Sequence, residues 1–199
     1  MARKTGSHSE ITGPRIKQAA LALFARHGFA AVTMRQIAAT VGVQAGAIYN
    51  YTPDKQALLF DLLDGHMLDL LRKWSVELVP IDPIAALDHF VAFHLDFHIK
   101  RPELVFISYM ELRNLTEINF KVIVEKRRIY EKIIHNLILS GVVSGDFRVP
   151  DPKITSLALI ALLTGPVDWF REDGRLTSDE LTRQYCALTR QALGVSAMA

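Results

Sequence analysis

Four prolines set the limits on this chain. Proline fixes φ near the helical value and lacks the N–H that the first turn of a helix leaves unbonded. Thr52-Pro53, Asp82-Pro83 and Asp151-Pro152 therefore each read as an N-cap followed by the first helical residue, while Arg101-Pro102 ends one helix and opens the next. A chain punctuated this way is cut into helices.

The apolar spacing between the prolines agrees. From Pro14, the residues Ile16, Ala19, Ala20, Leu23 and Phe24 recur at helical intervals, and His27-Gly28 closes the run as a C-terminal cap. Thr33 caps a short helix whose Met34, Ile37, Ala38 and Val41 share a face before Gly42 breaks it, and a third short helix follows over 45–51. A long helix reads from Pro53 to about Val79, with a leucine stripe and a weak point at Gly65. Helices over 83–101, 102–114 and 116–140 come next, the last stopped by Gly141. Asp151-Pro152 opens another, kinked at Gly165-Pro166, and Thr177 with Glu180 forms a capping box for one that runs to Gly194. This predicts nine helices and no strand, an all-α fold. Residues 1–12 are polar and predict a mobile arm, 13–60 one compact unit and 61–199 a larger one.

Composition narrows the setting. Half of the residues are hydrophobic, enough to bury a core, and no apolar run is longer than Leu157–Leu163, far shorter than the roughly 20 residues of a membrane helix. No membrane association is expected. The first fourteen residues carry no apolar stretch of the secretory kind. Cys186 is the single cysteine, which excludes an intramolecular disulfide and a multi-thiolate zinc site and fits a reducing compartment, the cytoplasm. Charge is uneven: residues 1–60 hold seven basic against two acidic side chains, and the rest sixteen against nineteen. A basic module that meets a polyanion is the expectation.

The segment Thr33 to Tyr51 bears on which polyanion that is. Two short helices meet through Gly42, with Ala38 small at their contact and Ile37, Val43 and Ile48 apolar, which satisfies the geometry of a helix-turn-helix. Its second helix presents Gln44, Ala45, Gly46, Ala47, Tyr49 and Asn50 outward; small residues allow close approach to base edges, and Tyr49 and Tyr51 reach phosphates, with Lys55 adding charge. A pair of amphipathic core helices would give much the same pattern.

Residues 14–60 resemble the N-terminal domain of the TetR family of one-component transcriptional regulators, through the three-helix module, the pattern Val43-x-x-Gly46-x-Ile48-Tyr49-x-Tyr51 and the Pro53-x-Lys55 that follows. The resemblance implies a homodimeric repressor on a palindromic double-stranded DNA operator, released when its C-terminal domain binds a small molecule. By motif position it places DNA contacts on Thr33, Arg35, Gln44, Ala45, Gly46, Ala47, Tyr49, Asn50, Tyr51 and Lys55. The chain departs from the pattern at Gln44, Ala45 and Thr52, where the family often has a Ser or Thr, a Lys and a Phe. Ala45 removes a contact, which shifts specificity toward Gln44, Asn50 and DNA shape.

For the effector, the run Leu139 to Arg148, then Asp151-Pro152 and Trp169-Phe170, is similar to family members that respond to acyl-coenzyme A thioesters; a free aromatic or drug-like molecule is the alternative. Aromatic residues crowd 90–109 with polar ones between them, as in a small-molecule pocket. The pocket is drawn from His94, Phe97, His98, Phe106, Tyr109, Met110, Arg113, Tyr130 and Trp169, unless these rings simply fill a core; Arg127 and Arg128 either neutralise ligand phosphates or form a solvated face. His94 and His98 stand at metal-binding spacing without an HExxH motif, so no metal and no cofactor are expected. Leu157, Ile160, Ala161 and Thr164, with Leu181, Tyr185, Leu188, Thr189 and Ala192, leave apolar faces suited to a two-fold four-helix bundle. Effector binding would bend the long helix at Gly65 and spoil the spacing of the paired recognition helices. No GxSxG, GxGxxG or P-loop speaks for an enzyme, and the basic module speaks against a helical adaptor.

Overall fold

The computed structural model describes residues 6–195, with side chains described from residue 11. Among them are nine α-helical segments and two 3-10 turns, with no strand. The helices are α1 (Gly6–His27), α2 (Met34–Val41), α3 (Lys55–Trp74), α4 (Pro83–Ile99) and α5 (Pro102–Met110), then α6 (Glu117–Ser144), α7 (Pro152–Thr164), α8 (Pro166–Trp169) and α9 (Ser178–Ala192); the 3-10 turns are Ala47–Asn50 and Leu112–Asn114. No helix among the described residues is long and apolar enough to cross a membrane.

Most boundaries follow local chemistry. The Thr33 hydroxyl accepts the Gln36 N–H, and the Gln36 side chain bonds back to the Thr33 N–H at 2.7 Å. Thr177 and Glu180 repeat that reciprocal cap, and these hydrogen bonds from the Thr177 backbone and hydroxyl hold the Glu180 carboxyl below the usual carboxylate range. Asp82 and Asp151 cap α4 and α7 ahead of their prolines. Gly28 and Gly42 take left-handed φ of +79° and +76°, the conformation that stops α1 and α2.

Several boundaries differ from expectation. The helix expected from Pro14 begins at Gly6, with Pro14 inside it, so of the expected arm only residues 1–5 lie outside those described. Asp54, not Thr52, caps α3: its carboxylate accepts the Ala57 N–H at 2.7 Å, while Thr52 is buried and bonds the Asp54 carbonyl. That helix stops at Trp74, because Val76, Leu78 and Ile81 beyond it find nothing to pack against, Leu78 being 92% exposed. Gly141 does not end α6. The stop is Gly145, at φ +86°, and Gly141 is small for another reason: a Cβ there would lie 2.1 Å from the Phe147 ring, which folds back over the last turn. Gly165-Pro166 breaks the expected kinked helix into α7 and α8, since Pro166 has no N–H to continue the ladder.

The chain forms two compact units, one of residues 1–68 and 103–124 and the other of residues 69–102 and 125–199. Ile16, Ala20, Phe24, Ile37, Ile48 and Leu59 fill the core of the first, with the Phe24 and Phe29 rings 5.3 Å apart. Each large side chain so buried contributes about 1.5–3 kcal/mol. The second unit is built on Phe90, Leu95, Ile134, Ile138 and Leu163, with Trp74 edge-on to Phe90 at 5.3 Å. Gly65 lies in an unbroken stretch of α3, and a Cβ there meets nothing within 4 Å. Gly65→Ala is expected to raise stability by up to about 1 kcal/mol, read as a higher urea midpoint; a drop in the midpoint would show that the glycine serves the native backbone.

Candidate nucleic-acid interface and effector site

The interface starts from α2 and the turn after it. The Gly42 N–H bonds the Ala39 carbonyl at 3.1 Å and the Val43 N–H the Ala38 carbonyl at 3.0 Å, which closes the helix and redirects the chain. The following segment is shorter than the helix expected over 45–51: two successive turns, Ala47 N–H to Gln44 carbonyl at 2.9 Å and Tyr51 N–H to Ile48 carbonyl at 3.0 Å, of which only Ala47–Asn50 is 3-10 helix. Ile48 anchors it, fully buried beside Ile37, Ala38 and Val41 of the unit's core.

Everything else in the segment turns outward. Gln44, Ala45, Gly46, Asn50 and Tyr51 are exposed, Tyr49 is 56% exposed, and Ala47 is half-buried. Gly46 is the informative residue. Its φ of −73° is ordinary for any amino acid, and a Cβ built on it meets nothing within 4 Å. Nothing within the described fold requires a glycine there.

The basic residues divide. Arg35 is exposed beside Thr33 at the start of α2. Lys55, expected to face DNA, is instead folded onto the backbone: its ammonium donates to the Phe29 and Val32 carbonyls at 2.7 Å each and sits 4.3 Å from the centre of the Phe29 ring. These carbonyls lie in the loop between α1 and α2, where no helical N–H bonds them. Arg15 similarly caps the Val41 carbonyl and Lys17 pairs with Asp61 at 2.9 Å, so the positive balance of this region is partly spent on its own structure.

The expected pocket residues separate into the two units. Phe106, Tyr109, Met110 and Arg113 are exposed in the first. His94, Phe97, His98 and Tyr130 gather in the second, all buried. The Thr164 hydroxyl donates to the Ile160 carbonyl at 2.8 Å, so it accepts from His94 Nε2–H at 3.2 Å, and His94 Nδ1 is left to accept the Tyr130 hydroxyl at 3.1 Å. His98 Nδ1–H donates to the His94 carbonyl at 2.8 Å, and the two rings stack 3.9 Å apart. Among the described residues no group of three His, Cys, Asp or Glu is placed to hold a metal. Thr164, expected on a dimer surface, is half-buried as a partner of His94.

Burial pushes both imidazoles down. His94 falls well below the ordinary histidine value, helped by the neighbouring His98, and His98 falls to about 4 through burial with Arg101 adding to it against its bond to His94. Both are neutral in the folded protein at pH 7. The unfolded chain, titrating near 6.5, takes up protons first as pH falls, so this contribution to stability is complete above about pH 6.5 and is lost from there toward pH 4. The limit is about 1.4 kcal/mol per pH unit for each histidine. Urea midpoints measured at pH 5 and pH 7.5 are expected to differ more in the wild-type chain than in a His98→Gln variant; equal differences would show that His98 is not neutral in the fold.

Trp169 lies apart from this cluster. With Phe170, Arg171 and Arg175 it lines a cleft of about 280 Å³ in the second unit, and a second cleft of about 240 Å³ is lined by Lys73, Phe93, Phe97, Lys100 and Arg101. Arg101 stacks on the Phe97 ring at 4.0 Å and bonds Asp69, and Lys100 pairs with Asp96. Arg127 is half-buried and Arg128 exposed, near Glu125. On α7 and α9, Leu157, Ala161, Leu188 and Ala192 are exposed and Ile160 and Tyr185 half-buried, but Leu181 and Thr189 are buried, against expectation. Thr189 lies about 100° round α9 from Leu188, whereas Leu181 shares the Leu188 face and is covered through its position along the helix, which apolar spacing alone does not resolve.

Comparison with known proteins identifies the fold. Residues 16–62 match the model for bacterial regulatory proteins of the tetR family, and residues 80–193 match a tetracyclin repressor-like C-terminal domain. The chain is 26% identical over 194 residues to the HTH-type transcriptional repressor KstR2 of Rhodococcus jostii, covering 96% of this chain and 92% of that one. A crystal structure of a tetR-family regulatory protein from Rhodococcus RHA1 superposes with a TM-score of 0.86 at 25% identity, over 94% and 99% of the two chains. The structure of AibR in complex with isovaleryl coenzyme A and operator DNA has the same fold, with a TM-score of 0.80 at 20% identity over 89% and 97%. One model spans α2 and the exposed turn and the other covers more than half of the chain: this protein belongs to the TetR family of bacterial transcriptional regulators.

Proposed function

We propose that this protein is a cytoplasmic homodimeric repressor that reads a palindromic operator through residues 33–51 and is released from it by an acyl-coenzyme A thioester. The observation that carries the DNA-binding part is the exposed surface of small residues at Ala45 and Gly46, where a Cβ on Gly46 meets nothing within 4 Å, flanked by Arg35, Gln44, Tyr49, Asn50 and Tyr51. Backbone at such a place approaches a groove floor closely while the longer side chains reach phosphates. Lys55 then acts by shaping the turn before Thr33, not by touching DNA.

Residues 61–199 carry the remaining roles. The exposed apolar residues of α7 and α9, Leu157 and Leu188 among them, form the two-fold contact. For the effector, the AibR complex supplies the chemical class, and the Trp169 ring with Arg171 and Arg175 in one cleft offers a stacking plate beside cations, as a nucleotide-bearing ligand needs. A regulator without enzyme activity is the reading that the relatives support.

A mobility assay with duplex DNA flanking the protein's own gene tests the first part. A shift that weakens steeply with salt is expected, because phosphate contacts release counterions; no shift at low salt would sink the reading. Thermal shift with acyl-CoA esters against the matching free acids tests the second, since a ligand of the folded state raises the melting point.

A further inference from the structure

Glu111 follows α5 directly, and its side chain is 7% exposed. A carboxylate in such a place is costly unless its oxygens are bonded. One oxygen accepts the backbone N–H of Phe29 at 3.1 Å, across 82 residues of sequence, and the other accepts the Asn114 side-chain amide. Phe29 lies just past the last hydrogen bond of α1, Gly28 N–H to Phe24 carbonyl, so no helical partner is left for its N–H. On its other side the Phe29 carbonyl is held by Lys55 at the start of α3. Gln56, next along α3, donates to the Asn114 carbonyl. The residues that lead the chain into Thr33 and α2 are thus gripped twice, by α5 through Glu111 and by α3 through Lys55.

We propose that Glu111 is a positioning residue for DNA reading: its carboxylate ties the turn at 28–32 to α5 and sets the placement of α2 and the segment 44–51. A displacement of α5 is passed to that turn through this carboxylate. The inference rests on the reading of 33–51 as the DNA-contacting segment.

Glu111→Ala and Glu111→Gln in the full chain test it, with amide exchange at Phe29 and anisotropy of the gene-flanking duplex as the two readouts. In Glu111→Ala, Phe29 exchange is expected to accelerate about 10-fold or more and duplex affinity to fall about 10-fold, with the slope of log K against log salt unchanged because no phosphate contact is removed. Glu111→Gln, whose amide oxygen still accepts the Phe29 N–H, is expected to restore both to within about threefold of wild type. Should Glu111→Ala not fold, Glu111→Met, which fills the volume without an oxygen acceptor, reads the same quantities. Wild-type duplex affinity in a variant whose Phe29 amide has lost protection overturns the positioning role, and unchanged Phe29 exchange overturns the clasp. A wild-type chain that ignores the duplex removes the DNA-binding reading instead, and the exchange result still decides the clasp.

Discussion

Gly46→Leu is expected to leave the fold and its melting point unchanged while lowering duplex affinity by on the order of 100-fold or more. The backbone at Gly46 is right-handed at φ −73° and ψ −28°, so leucine adopts it without strain, and the space around the new Cβ is empty. On the proposed reading, what it fills is the gap between the segment 44–51 and a groove. One disturbed base contact costs about 1–3 kcal/mol, and a two-fold regulator suffers it at both half-sites. Anisotropy titrations at two salt concentrations, with circular dichroism on the same samples, make the check. Undiminished affinity would mean that DNA does not meet this surface.

The largest stability effect is expected from Gly141→Ala. The added methyl would stand 2.1 to 2.6 Å from three atoms of the Phe147 ring, which is buried at 2% exposure and whose N–H is bonded to the Gly141 carbonyl at 2.9 Å. Ring and methyl cannot share that space. Either the ring leaves its site or the end of α6 shifts, and overpacking together with partial loss of an aromatic anchor costs about 3 kcal/mol. For a chain of this size that corresponds to a melting point lowered by roughly 6–12 °C. Phe147→Ala in the same background separates the causes, because the two substitutions share one contact and should be far from additive. A melting point within a degree or two of wild type for Gly141→Ala would show that the turn after α6 yields without cost.

The same pair of residues shows how sequence and structure divided the work. Gly141 reads as a helix stop because glycine usually stands where a helix ends, yet here its lack of a side chain admits a ring six residues away, and α6 continues to Gly145. The recognition segment was legible for a related reason and with a related limit. Thr33, Gly42 and Ile48 signal a cap, a left-handed turn and an anchor, all local requirements, whereas the reduction of 45–51 to two tight turns depends on how Ile48 reaches the core of its unit.

Charge and aromatic content carried less. Lys55 and Arg15 count as positive charge in the sequence, but one bonds two loop carbonyls and the other caps α2, because carbonyls left without a backbone partner come within reach of a distant side chain only once the helices are packed. The nine pocket residues share composition and not location: His94, Phe97, His98 and Tyr130 are packed together, while Phe106, Tyr109 and Met110 turn to solvent in the other unit. Glu111 gave no signal at all, since nothing in a glutamate's neighbours along the chain predicts a bond to a backbone amide 82 residues earlier.

By itself, then, the sequence determined the all-helical class, the caps Thr33, Asp82, Asp151 and Thr177, and the break at Gly42 after α2, since each rests on contacts within about four residues or on a periodicity of 3.6. Only the tertiary structure decided which basic side chains remain exposed, which face of α9 is buried and what holds the turn at Phe29. Those outcomes rest on groups distant in sequence meeting at hydrogen-bond range, and that pairing is settled by packing the helices, not by any one of them.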